Sequence, residues 1–496
     1  MGPRRVKFGG LFAPLTFKLA MPSLIPFVLE HWRFCLLHFL EFAIWGAWVV
    51  VLGNMLNARG FTRKDIGRIY AAVPIGTMIA SLLIGALVDR YLYTEWVLSV
   101  SHLIGGVLLL VLSRTYSPRT FFWIALAYAI AFAPTLGLVN SIVFAHDQDI
   151  FGGMAEEGFP WIRVFGTIGW IAAGLSHTVI LKKDQPIGGE PLVLAAVLSF
   201  ILGVYSMTLP ATPPAAESEL SLGASTAALL GDMVAMVAGN PVFFIVTLVA
   251  AMAMGLYFAF AALFLEKTGV PPNVVGPVMT LGQWIEIFFM LALPWFLGVD
   301  NVNMNWVLLA GITAWAIRFG FFSLGRPMPL VLFGIAIHGL CFDFFFAAGM
   351  INANLIAPEN LKASSQSVYA FLVYGLGMYL GSEGSGWLNN YYTRTAEPDR
   401  QSLTGVDEPV ATTPVATQPS ATPPSATPAS STQPSAGGTS PESVQDANPY
   451  AAGQTATSDP ATTTETSDQT DWRKFWAVPC GIVAVAAALF LIFVAR

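Results

Sequence analysis

The chain has 496 residues, is 55% hydrophobic and 11% charged, and carries a formal net charge of −6. Its mean hydropathy is +0.63. Soluble domains carry roughly 25% charged residues, so this composition belongs in a bilayer and excludes an ordinary soluble globule. No basic patch for nucleic acid is present, and Cys35, Cys341 and Cys480 stand too far apart for a disulfide framework or a CxxC metal pair.

Residues 1–32 are an N-terminal extension, basic at MGPRRVK and then mildly apolar. They read as a signal peptide without a clear A-x-A site, as a peripheral anchor, or as sequence ahead of a true start at Met21. Apolar runs long enough to cross a bilayer then predict twelve spans: 33–56, 68–88, 96–113, 120–145, 162–181, 192–209, 241–265, 274–297, 305–324, 329–352, 364–388 and 474–495. In lipid every backbone group must be satisfied within its own segment, so these are helices. The expected fold is an all-α polytopic membrane protein of two six-helix halves. The N-terminal bundle is 33–209; the second comprises helices 7–11 in 241–394 and helix 12 in 471–496.

Residues 210–240, opening PATPPAAESE and running on through ALLGDMVAMVAG, form a central linker with a short amphipathic helix on the membrane surface. Residues 395–470 are rich in Thr, Pro, Ser, Ala and Gln; such a stretch cannot bury enough apolar surface to fold and reads as disordered.

Charged side chains inside the spans are few: Glu41, Arg163, Glu286, Arg318, Asp343 and, nearer an end, Glu383. Each costs on the order of 2.5–3.5 kcal/mol at mid-bilayer, so each needs a partner or a cavity. Helical spacing of three, four or seven residues groups them. Glu41 shares a face with Trp45 and Trp48, Arg163 with Thr167 and Trp170, and Gln283 with Glu286. His338 aligns with Phe342, and Asp343 is turned about 100° from Phe342. Aromatic faces beside carboxylates and amides suit a flat-ringed solute with several hydroxyls. Each residue also has a plainer reading. Trp45 and Trp48 suit lipid or packing, Arg163 can snorkel from its span's start, and Arg318 suits a structural pairing with an acid. His338 suits a satisfied core histidine, and Glu383 packing in GSEGSG. Asp343 and Glu286 fit such readings worst, because neither has a sequence-local cation.

The loop at 146–163 holds His146, Asp147, Asp149, Glu156 and Glu157. Their spacing matches no strong metal motif, and a solvated loop is the favoured reading. No GxSxG, HExxH or phosphate-binding loop occurs, so no metal, cofactor or enzymatic activity is expected.

GALVDRY, between spans 2 and 3, resembles the signature of the major facilitator superfamily. The resemblance implies a conformational latch at Gly85, Asp89 and Arg90. FAIWGAWVVVLG, APTLGLVNSIV, FPWIRVFGTIGW, AWAIRF and GLCFDFF are similar to segments of the bacterial nucleoside:proton symporters within it. That likeness covers roughly 33–392 and 470–496. It implies substrate contacts from Arg163, Thr167, Trp170, Gln283, Glu286, His338, Phe342 and Asp343. Trp170 stands where phenylalanine is typical, His338 where tyrosine is expected, and Glu41 where glutamine is usual. Span 7, MAMGLYFAFAALFLE, lacks the expected glutamine and asparagine and offers only Tyr257 as a polar side chain.

The function expected is import of nucleosides by proton symport through alternating access. Asp343 is the first proton-coupling candidate, then Glu286 and Glu41. The partners are a nucleoside or similar small polar ring-containing solute, protons and the lipid bilayer, with the protein monomeric. The resemblance implies a bacterial inner membrane with both termini cytoplasmic, although Lys and Arg are more numerous in the loops this topology puts outside, against the positive-inside tendency. Rival readings are a major facilitator carrier of another small solute (sugar, metabolite or drug), and a non-transporting receptor or membrane enzyme.

Overall fold

The computed structural model describes residues 24–146, 150, 155–214, 222–298, 304–358, 365, 368–394 and 470–494. The chain divides into two units, residues 1–396 with 469–496, and residues 397–468. The second unit contains most of the Pro/Thr-rich segment expected to be disordered and lies outside the described residues, as do residues 1–23 of the extension.

All regular structure among the described residues is helical. The first set is α1 (Leu24–Glu30), α2 (Trp32–Trp48), α3 (Leu52–Ala58), α4 (Arg63–Tyr91), α5 (Thr94–Ser113), α6 (Pro118–Phe132), α7 (Thr135–Ala145), α8 (Ala155–Ile180) and α9 (Glu190–Ser206). After α10 (Leu222–Gly239) come α11 (Pro241–Lys267), α12 (Pro272–Met279), α13 (Leu281–Gly298), α14 (Met304–Leu324), α15 (Met328–Ala336) and α16 (His338–Cys341). A π-helical segment, Phe342–Ala347, leads into α17 (Ala348–Ile356); a second, Phe371–Gly377, leads into α18 (Met378–Arg394). The last helix is α19 (Trp472–Phe493). Among the described residues, seven helices are long and apolar enough to cross a bilayer: Trp32–Ala58, Thr94–Ser113, Pro118–Ala145, Pro241–Lys267, Met304–Leu324, His338–Ile356 and Trp472–Phe493. A helix, α10, falls within the segment expected as the central linker.

Local signals explain several boundaries. Ser117 caps α6 by accepting from Thr120 N, with Pro118 behind it. Asp471 caps α19 by accepting from Lys474 N. Large apolar side chains such as Val179, Val204 and Phe493 stand exposed, as outward faces do in lipid.

The first and second helix sets meet where α4 packs on α18, α8 on α12 and α13, and α3 on α11. At the α3–α11 contact Asn54 Nδ2 donates to Glu266 Oε2 (2.6 Å) and Ala262 O (3.2 Å). At α4–α18 Arg68 Nη2 donates to Glu383 Oε1 (3.4 Å), so Glu383 has an ionic partner rather than only a packing role.

The π turn at 342–347 disturbs the ordinary helical ladder, and hydrocarbon offers no water to repair it. Two neighbouring side chains supply donors. Trp315 Nε1 donates to Cys341 O (3.1 Å), and Tyr369 Oη donates to Phe346 O (3.1 Å). The turn that carries Phe342 and Asp343 is thus pinned from two sides.

Candidate functional site: a buried charge cluster between helices

Glycine sets the close approach that builds the site. A Cβ on Gly339 of α16 would fall on the backbone of Glu286 of α13. Its absence lets the two helices touch and brings His338 beside Glu286. On the other flank, a Cβ on Gly169 of α8 would strike the Phe39 carbonyl of α2, so α8 lies hard against α2.

On that frame α8 presents Arg163, Thr167 and Trp170. The Arg163 guanidinium lies over the Phe42 ring, 4.1 Å from its centroid, and acts electrostatically on Glu286, Tyr374 and Asp343. Thr167 stands near enough to Glu286 to act on its carboxylate. Glu286 Oε2 faces His338 Nε2 at 3.8 Å, and the Asp343 and Glu286 carboxylates act on one another. The helix-face readings thus place Arg163, Thr167, Glu286, His338 and Asp343 in one neighbourhood. Thr167 is 3% exposed, His338 3%, Asp343 2% and Glu286 9%, so this state keeps them from bulk water.

Aromatic rings border the charges. Trp170 meets Trp45 edge-on at 5.4 Å and Phe258 of α11 at 6.5 Å. His338 stacks on Phe342 at 5.8 Å, as their spacing predicts. Arg163 Nη1, Gln283 Oε1, Asp343 Oδ2 and Trp45 Nε1 are buried without a hydrogen-bond partner among the described residues. Buried polar atoms are normally paired, and a polar solute carrying donors and acceptors would answer all four.

Two readings change in the structure, those of Arg318 and Glu41, and one pair of alternatives is narrowed. Arg318 does not meet an acid among the described contacts: its Nη1 donates to His338 Nδ1 (2.8 Å) and its guanidinium lies 3.5 Å over the Tyr257 ring. Of the two plainer alternatives for Trp45 and Trp48, lipid or packing, the structure shows packing: Trp48 is 2% exposed against Tyr128, and Trp45 packs on Phe132 and Trp170. Glu41 turns away from its aromatic stripe toward α5 and α7, where His102 Nε2 lies 2.8 Å from Oε2 and Thr135 Oγ1 donates to Oε1 (2.6 Å). Sequence spacing missed Tyr374 and Phe258, whose segments come to the cluster only through tertiary packing.

The latch residues Gly85, Asp89 and Arg90 lie in α4, but their side chains are outside the described residues. Of the loop expected at 146–163, residues 155–163 instead form the first turns of α8; Asp147, Asp149 and the side chains of Glu156 and Glu157 lie outside the described residues, and His146 bonds Ile142 O at 2.8 Å. No group of three or more metal-ligating side chains occurs among the described residues.

An all-helical membrane protein with buried charges gathered where two helix sets meet has the architecture that a secondary transporter requires. Solved structures share its fold: the nucleoside transporter NupG (TM-score 0.70, 23% identity, 93% of this chain and 98% of that one) and the peptide transporter POT (0.58, 14%, 73% and 89%). Residues 30–413 match the family described as Nucleoside H+ symporter, and the chain belongs to that family. Its relatives include YegT of Escherichia coli strain K12 (35% identity over 356 residues, 69% of this chain and 80% of YegT). Two more from that organism are the xanthosine permease (28%, 75% and 90%) and the nucleoside permease NupG (29%, 74% and 90%). The protein is thus an integral, multi-pass membrane transporter and not an enzyme.

Proposed function

We propose that the protein imports a nucleoside together with a proton, as a monomer with twelve spans in two six-helix halves that rock about the buried cluster. Both termini then lie in the cytoplasm and the protein sits in a bacterial inner membrane. The observation that carries the reading is the meeting of Arg163 and Thr167 from α8 with Glu286 from α13 and Asp343 from the π turn. Arg163 and Gln283 supply donors to a nucleobase or ribose, Glu286 accepts from hydroxyls, and Trp170 and Phe342 offer ring faces.

Asp343 is the proton carrier in this scheme. Open outward, it takes a proton, and the loaded carrier closes without a bare carboxylate in a dry interior. Open inward, it releases the proton. A membrane potential of 100 mV supplies about 2.3 kcal/mol per charge moved, enough for tens-fold accumulation.

A second reading keeps the fold and changes the cargo to a sugar, metabolite or drug. It is favoured by α11, which brings no amide side chain to the cluster and offers it only Tyr257, stacked on His338 and lying under Arg318. Uptake into proteoliposomes under an inward proton gradient, with labelled nucleosides set against sugars, decides between them. Saturable, gradient-driven uptake of a nucleoside is expected; accumulation of the sugars alone overturns the nucleoside assignment.

A further inference from the structure

His338 is held on every side. Its imidazole lies between the Tyr257 ring (5.7 Å, 24° between planes) and the Phe342 ring (5.8 Å, 25°). A Cβ on Gly282 would press on the His338 Cβ, so α13 lies close against the base of the side chain. Its two nitrogens face different partners. Nδ1 meets Arg318 Nη1 at 2.8 Å, and Nε2 meets Glu286 Oε2 at 3.8 Å. A guanidinium has donors and no acceptor, and it does not deprotonate in proteins. The Arg318 contact therefore requires a bare lone pair on Nδ1, which puts the single ring hydrogen on Nε2.

We infer that Arg318 locks His338 as its Nε2–H tautomer, making it a fixed hydrogen-bond donor that positions Glu286 and keeps that carboxylate an acceptor. His338 is then neither a proton carrier nor chiefly a substrate ligand. An imidazolium would need a hydrogen on Nδ1, aimed at the Arg318 N–H. Nε2 stands 3.8 Å from Oε2, beyond hydrogen-bond length, so the fixed N–H acts on the carboxylate as an oriented dipole. Glu286 has the Nε2–H of His338 aimed at its carboxylate and Thr167 beside it, whereas Asp343 Oδ2 has no hydrogen-bond partner among the described residues. The two buried acids thus have unequal roles: Glu286 as a standing acceptor, Asp343 as the group that changes charge. The other groups facing the pair are Arg163 from α8, Tyr374 from the second π segment, Tyr257 from α11, and Cys341 beside Arg318. Arg163 and Arg318 oppose a positive imidazole as well.

The lock is independent of cargo; only the role given to Glu286 toward substrate rests on the transport reading. The test therefore has two arms. In protein labelled with 15N-histidine, the His338 resonance is assigned by its loss in His338→Gln. It should stay a neutral Nε2–H ring from about pH 5.5 to 8.5, the range across which a free imidazole changes charge. Arg318→Gln, which can accept as well as donate, should restore ordinary titration. A His338 ring that titrates or carries hydrogen on Nδ1 with Arg318 intact overturns the inference.

The second arm is the pH dependence of the nucleoside KM in counterflow, where no net proton movement is needed. Glutamine can accept from Arg318 and donate toward Glu286, so His338→Gln should keep the native pH profile, whatever its absolute KM. Phenylalanine can do neither. In His338→Phe, Glu286 loses a donor, and KM should rise about tenfold for each unit of pH below the onset of its protonation. Equal pH profiles in the two variants overturn the positioning role. If the native protein shows no nucleoside counterflow, the cargo reading fails, and the labelled-histidine arm still decides the tautomer.

Discussion

Glu41 Oε2 lies 2.8 Å from His102 Nε2, and neither side chain has more than 1% of its surface exposed. Thr135 Oγ1 donates to the other carboxylate oxygen, and His102 Nδ1 faces Ser199 Oγ at 3.2 Å. An acid with this many partners is held by the helices around it. Glu41→Gln keeps an acceptor for Thr135 and should preserve uphill uptake with modest loss of thermal stability. Glu41→Ala abandons His102 in a dry interior, and breaking a buried pair in this way costs about 3–5 kcal/mol. Thermal unfolding in detergent checks the difference. Loss of uphill uptake with intact counterflow in Glu41→Gln would instead make Glu41 a coupling residue.

Gly339 is a second point of sensitivity. The Cβ of an alanine there meets the Glu286 backbone, and overpacking of this kind costs about 1–3 kcal/mol. Gly339→Ala should shift Glu286 from Thr167 and His338 and raise the substrate KM at least about tenfold, since 1.4 kcal/mol is a factor of ten. Gly384 of α18 has open space around its Cβ position. Gly384→Ala is the control and should leave KM unchanged, as measured by uptake normalised to protein level.

What the sequence revealed follows from cost. Asp343 and Glu286 stand out because an ionised group in an apolar run is expensive and needs a reason. The alignment of His338 with Phe342 was legible because neighbouring turns repeat regularly. The π turn at 342–347 was not, since a periodicity argument presumes the α-helical repeat it violates. Pairings were also hidden. Arg318 and His338 are 20 residues apart, and Glu41 and His102 are 61 apart, so no local spacing joins them. The helix breaks around Val49–Val51 and at Ile337 left no mark in the hydropathy, because every residue there is apolar.

The α3–α11 contact offers a test of movement. Asn54 and Glu266 join the first helix set to the second at 2.6 Å. If the sets separate at this end during each cycle, a short crosslink between Asn54→Cys and Glu266→Cys should stop uptake, and reduction should restore it. Transport that persists while the crosslink is intact would show that this end stays closed. Glu266→Ala should free this end and speed cysteine labelling near it.

Asp471 predicts a pH effect outside the bilayer. Its partial burial works against the charge, but the Lys474 N–H and ammonium and the Arg473 N–H outweigh it, and the carboxyl is held below its ordinary value. A depressed carboxyl gives its stabilisation above the unfolded-state pKa and loses it as pH falls through the lower folded value. The first turn of α19 should therefore loosen only in acid, below about pH 4. Asp471→Ala should show the loss at neutral pH too, costing about 1 kcal/mol. Amide exchange in residues 472–476 reads this directly.

Asp343 carries the most decisive prediction. Its Oδ2 is buried without a hydrogen-bond partner among the described residues, beside Glu286 and within reach of the Arg163 field. Asparagine has nearly the same shape and cannot exchange a proton. Asp343→Asn should therefore abolish uphill accumulation while counterflow across equilibrated membranes continues, because exchange needs substrate movement but no net proton flux. Folding is not expected to suffer, since the substitution removes a buried charge rather than a partner. The two assays in the same proteoliposomes separate coupling from binding. Loss of both would make Asp343 a substrate ligand above all. Full uphill transport would transfer the coupling role to Glu286, and with it the division of labour between the two acids would fall.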